Sequence, residues 1–138
     1  MLPDSLRALP YLVHTNRELG LMLKGVKPMA MFSDIAGREP ECVVRYLRMF
    51  DRHVEMLRFE RRTVEKAVAR RPDLFSRRIF YTLPGETWRI DAMLELIIDY
   101  GRWTNEHERR FGTLLGYEDW QNDIWLERHP VAGLANGS

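Results

Sequence analysis

The stretch "HVEMLRFERRTV", residues 53–64, has two readings, and the fold class turns on which one holds. Val43, Leu47, Phe50, Val54 and Leu57 step by four and three, the spacing of one long helical face. Leu57 and Phe59, however, alternate with Arg58 and Glu60, as a half-exposed strand would. We prefer a strand over about 54–63. A single helix through 41–70 would instead make the chain all-α.

On the C-terminal side, "RRIFYTL" reads as a further strand, about 77–82, closed by the Pro84-Gly85 turn. On the N-terminal side, "GREPECVVRYLRMF" reads as a helix over about 40–51. Pro40 suits its first turn and Glu41 the positive end of its dipole. Further back, the apolar runs Leu21–Leu23 and Met29–Phe32 flank "KGVKP", which predicts a β-hairpin over about 20–33. The lysines of that turn are expected at a solvated loop tip.

Helices dominate the rest. Ile90, Met93, Leu94, Ile97 and Ile98 form one face of a helix over about 87–100, with Thr87 as its cap. A helix over about 105–115 starts at Asn105, with Glu108 three residues on, and stops at Gly116. Asp119 caps a last helix, about 119–127. The expected architecture is α+β: a small antiparallel sheet packed by helices lying largely in the C-terminal half. Residues 1–131 form a single globular domain, with 132–138 a flexible tail.

The 138 residues are 45% apolar and 30% charged, the composition of a globular domain. No run approaches a membrane span, and Asp4 stands where a signal peptide would carry basic residues. The lone Cys42 excludes an internal disulfide and any multi-cysteine zinc site. A cytoplasmic protein is expected. Arginine outnumbers lysine 18 to 3, which we read as the mark of a GC-rich, bacterial coding sequence.

Charge is unevenly laid out. Residues 58–78 carry eight basic and three acidic groups, whereas residues 85–128 carry five arginines and ten acids. Two such halves attract each other, within a chain or between chains. Within the arm, Arg58, Arg61, Arg62 and Arg78 interleave with aromatic residues and are the candidate anion-binding set. Nucleic acid could use arm 58–78, but a net charge of +1 for the whole chain argues against it.

No phosphate loop, GxGxxG, paired-histidine or triad pattern is present, so no cofactor and no metal site is implied. Asp51, His53 and Glu55 would share a face of the strand, making His53 and Glu55 the candidate acid–base pair. Asp91, Glu95 and Asp99 form an acidic row on the best helix, matched by arginines, by solvent or by a hard metal ion. In the last helix, Ile124, Trp125 and Leu126 lie about 40°, 140° and 240° from Trp120, so no single stripe collects them. Trp120 is therefore assigned to the core, and Tyr117, Trp125 and Leu126 to an interface. These features describe a small interaction or ligand-binding protein that self-associates. The alternative is a small α+β enzyme acting on an anionic molecule in a pocket between sheet and helices.

Overall fold

Residues 53–64 turn out to hold both structures in succession. The computed structural model describes residues 2–98 and 100–131, leaving out the side chain of Tyr100. Helix α3 (Glu41–Glu55) runs through Val54, and strand β2 (Glu60–Val68) begins only at Glu60. The strand expected at 54–63 is therefore corrected at its start, and the all-α alternative fails. The switch occurs at Leu57, which adopts a left-handed φ of 61° and is 84% exposed. The N–H groups of Leu57, Arg58 and Phe59 close the helix end on Val54 and His53 carbonyls at 2.9–3.2 Å. Phe59, only 2% exposed, then turns inward as an apolar plug. The helical spacing thus holds up to Val54, and the alternation around Phe59 marks the return of the chain toward the sheet.

β2 pairs antiparallel with β3 (Arg71–Thr82), which also pairs antiparallel with β1 (Met29–Ile35), so β3 is central. Ile79, Phe80, Tyr81 and Thr82 are all buried, which requires cover on both faces of the sheet. On one face Ala30, Ile79 and Tyr81 pack with Phe50 and Met22, and with Tyr46 and Leu47 at the margin. These come from α3 and from α2 (Glu18–Leu23). On the other, Met29 and Phe80 pack with Ile90, Met93 and Leu114. The last three belong to α4 (Trp88–Ile98) and α5 (Asn105–Leu114).

The hairpin expected at 20–33 is a helix followed by a strand. Leu19 and Met22, three apart, point into the same core, which makes the run helical. Gly25 then ends α2 at φ +75°, and its N–H reaches the Met22 carbonyl at 2.9 Å. The partner of β1 is β3, fifty residues away, and not its own preceding segment.

Polar ties fix the layers. Asp51 of α3 accepts from Arg61 of β2 at 2.8 Å and from the Tyr81 hydroxyl of β3 at 2.7 Å. Burial and that bond to a carboxylate hold the Tyr81 phenol above its ordinary range. On the opposite face Arg62 meets Asp91 of α4 at 2.7 Å. The remaining elements are α1 (Asp4–Arg7), a 3-10 turn (Tyr100–Arg102) and α6 (Asp119–Arg128). The tail assigned to 132–138 lies outside the described residues.

Leu57 gives a direct test. A leucine in the left-handed region costs about 1–2 kcal/mol, and this one has almost no burial to lose. Leu57→Gly should raise unfolding free energy by about 1 kcal/mol in urea titration, after the larger backbone entropy of glycine is subtracted. A destabilised variant would show that the exposed side chain contributes to folding.

Candidate functional site

A cavity of about 250 Å³ opens between the N-terminal segment and the last two helices. Its wall on the N-terminal side is Leu6, Tyr11, Val13 and Thr15. Helix α5 supplies Glu108, Phe111 and Gly112. Leu115 and Tyr117 come from the corner, and Asn122 and Trp125 from α6.

Local chemistry sets each helix in place. The cap of α5 is Thr104, not Asn105: its Oγ1 accepts from the His107 N–H, and its own N–H donates to His107 Nδ1. Asn105 Oδ1 instead accepts from the Val131 N–H at 3.0 Å. At α6 the cap is Glu118, paired reciprocally with Gln121, and Asp119 occupies the first helical position. Gly116 ends α5, as expected, at φ +103°, and a Cβ there would stand 2.7 Å from Pro28 Cδ. A Cβ on Gly112 would overlap Asn122 Oδ1, so glycine is what lets α5 and α6 approach. Buried Asn122 donates to Thr113 Oγ1 at 3.1 Å across that approach.

Glu108 sits one turn into α5. Trp103 Nε1 donates to its Oε2 at 2.6 Å and Trp125 Nε1 to its Oε1 at 3.1 Å. Trp125 in turn stacks on His129 at 4.0 Å. Two indoles thus orient one carboxylate without neutralising it.

Beside the cavity lies a cluster of buried polar groups. Lys27 is 2% exposed, so the expected solvated loop tip is corrected for this residue. Its Nζ donates to the Leu115 carbonyl at 2.6 Å and lies 2.9 Å from His14 Nδ1. The His14 ring stacks on Tyr117 at 3.7 Å, and the His14 N–H donates to the Tyr117 hydroxyl at 2.8 Å. Burial lowers Lys27 to about 7, against an opposing pull from Glu18. Burial, and then the Lys27 charge, lower His14 to about 4, which leaves a neutral imidazole as acceptor. Arg89 Nη1 reaches the Thr113 and Leu114 carbonyls at 3.2 Å. Two basic side chains therefore donate to the carbonyls at the end of α5, of which Thr113 also accepts from the Gly116 N–H at 3.0 Å.

The residues expected to act together are dispersed. His53 and Glu55 lie on helix α3, so the strand face that would have aligned them with Asp51 does not exist. His53 Nδ1 lies 3.3 Å from Arg58, Glu55 is exposed, and neither lines the cavity. Arg61 faces α3 while Arg62 and Arg78 share the opposite face, because adjacent strand positions alternate. Arg78 borders a separate groove with Lys66 and Ile97, and Arg58 sits in the α3–β2 turn.

Of the acidic row, Asp91 pairs with Arg62, Glu95 is exposed and Asp99 lies outside the described residues. No group of three or more histidine, cysteine or acidic residues is placed to hold a metal among the described residues. Of the two tryptophans of α6, Trp120 departs from the core place expected of it, and Trp125 is half-buried. Trp120 is 47% exposed, and Trp125 is turned toward Glu108. Tyr117 and Trp125 line the cavity, and Leu126 is half-buried.

No protein-family model, curated protein or solved structure matches the chain.

Lys27 sets a pH dependence with a definite sign. Its folded value lies below its ordinary one, so unfolding takes up a proton between about pH 7 and 10. Stability gains from raising the pH through that window, because the cost of the buried charge is present in full only below it. His14 acts in the same direction between about pH 4 and 6.5. Denaturant titrations of wild type and Lys27→Met from pH 6 to 10 should differ by uptake of close to one proton near pH 8, a slope of about 1.4 kcal/mol per pH unit at most. Parallel curves would show that Lys27 keeps its ordinary value.

Proposed function

We propose that this protein is a small-molecule-binding module whose site is the cavity between the N-terminal segment, α5 and α6. The observation that carries the reading is an aromatic-lined hollow containing a single oriented carboxylate. Compact sites of this kind are mostly apolar, with a few fixed polar groups that set ligand orientation. About 250 Å³ suits one compact organic molecule and is too small for a polymer strand. The basic arm gives nucleic acid little support. Arg61, Arg62, Arg71 and Arg77 are each engaged by carboxylates of this chain.

The test is a ¹H–¹⁵N titration with benzylamine, benzyl alcohol and benzoate. Saturable shifts should appear at the Trp125 indole and at Gly112. Leu6→Trp, on the peripheral α1, should fill the hollow and weaken binding at least tenfold. Shifts elsewhere on the surface, or an unaffected variant, would refute the assignment.

Self-association is the second reading, now with a different basis from Tyr117 and Trp125. Met49 and Met56, seven residues apart along α3 and its C-terminal cap, are 45% and 60% exposed. Exposed apolar clusters of this kind serve interfaces between proteins. The cytoplasm is the compartment proposed, since Cys42 is exposed and free. Light scattering after size exclusion should give a dimer mass for wild type and a monomer mass for Met49→Glu/Met56→Glu. Equal masses would sink this second reading.

A further inference from the structure

We infer that the cavity selects an organic cation, a primary or secondary ammonium on a compact apolar body, with Glu108 as its counter-charge. The inference rests on the proposed ligand-binding reading and names the ligand class for the same site.

Glu108 is the only carboxylate, and the only side chain of ordinarily ionised type, among the residues that line the cavity. Burial holds the Tyr11 and Tyr117 phenols above their usual range, so both rings stay neutral. Among the described residues no lysine or arginine pairs with Glu108; its two bonded partners are the neutral indoles of Trp103 and Trp125. The nearby bases are committed elsewhere. Lys27 is bound to His14 and the Leu115 carbonyl, Arg109 to Asp123 at 2.7 Å, and Arg128, whose charge reaches the Tyr11 phenol, donates to the Ala8 carbonyl at 3.1 Å.

A carboxylate offers about four lone-pair sites, and the indoles use two of them. The two that remain match an ammonium, which has donors to give and no acceptor to satisfy. The other cavity walls favour the same charge. Tyr11, Phe111, Tyr117 and Trp125 line it with four aromatic rings; His14 covers one face of Tyr117 and His129 one face of Trp125, and any face left open attracts a cation. An anion would meet Glu108 without a compensating base. A neutral ligand would leave the carboxylate partly desolvated and unpaired. The anionic substrate suggested by the basic arm therefore has no counterpart here.

A charge-assisted hydrogen bond is worth about 1.5–3 kcal/mol, a ten- to hundredfold preference. The experiment compares three probes of nearly one shape by calorimetry at pH 7 and low salt. Benzylamine should bind at least tenfold tighter than benzyl alcohol, and benzoate should not bind. In Glu108→Gln, benzylamine should weaken at least tenfold and lose its preference over benzyl alcohol measured on the same variant. Trp125→Phe, which keeps a ring and frees one lone pair, should retain the preference for the amine.

If benzyl alcohol binds as tightly as benzylamine, the cation inference falls and the ligand-binding reading stands. If benzoate binds best, the inference falls with the sign reversed. If no probe binds, both fall. The amine–alcohol contrast in wild type decides the matter even where Glu108→Gln does not fold.

Discussion

The structure depends on one constraint: four consecutive residues of the central strand, Ile79 to Thr82, must be kept from water on both faces of the sheet. A strand buried on one face alternates apolar and polar residues; one buried on both reads as a continuous run. Three strands cannot cover their own faces, so helices must. α2 and α3 arrive before the central strand in sequence, and α4 and α5 after it. The order of the elements therefore becomes the order of the layers. Phe50 closes one side of the strand and Met93 the other, each without exposed surface.

Much of this order is legible in the sequence, because the helical periodicities of 41–55 and 88–98 are long and the run "IFYT" is short and apolar. What was not legible lies where a local pattern fits two structures equally. Leu21–Leu23 satisfies a strand as readily as one turn of helix, and only contact with Phe50 and Tyr81 decides it. Residues 53–64 show both periodicities because they contain both elements, joined through a left-handed leucine that no propensity would place there. The candidate site was less legible than the fold. Trp103, Glu108 and Trp125 meet through separations of five and seventeen residues, across the capped start of α5 and a helix corner. Glu108 read alone is an acid in a first helical turn, which the helix dipole accounts for without any site.

The charge layout has a similar outcome. A basic arm beside an acidic half resembles a surface prepared for a partner, yet four of its seven arginines, Arg61, Arg62, Arg71 and Arg77, turn back on carboxylates of the chain. Arg61 and Arg62 are adjacent in sequence and point to opposite faces, one clasping α3 and the other α4. Arg77 bridges Glu65 on β2 and Glu39 before α3. Partly exposed pairs contribute only about 0–1 kcal/mol each, so their main effect is geometric. They tie the long β2–β3 hairpin to α3, to α4 and to the segment before α3.

Lys27 connects the fold to the cavity. A buried lysine is expensive, and a methionine of similar length would fill the space at lower cost. A methionine, however, could not donate to two acceptors. The Leu115 carbonyl is an open end of α5, and His14 belongs to the N-terminal segment, so one ammonium positions both walls of the hollow. Tyr117 completes the link: its ring lies on His14, its hydroxyl receives the His14 N–H, and it also lines the cavity. The Lys27 amine is thus held behind the wall by local acceptors, while Glu108 in the hollow has no base of its own to meet. A site arranged in this way keeps its own cation out of reach and leaves the carboxylate for one that comes from outside.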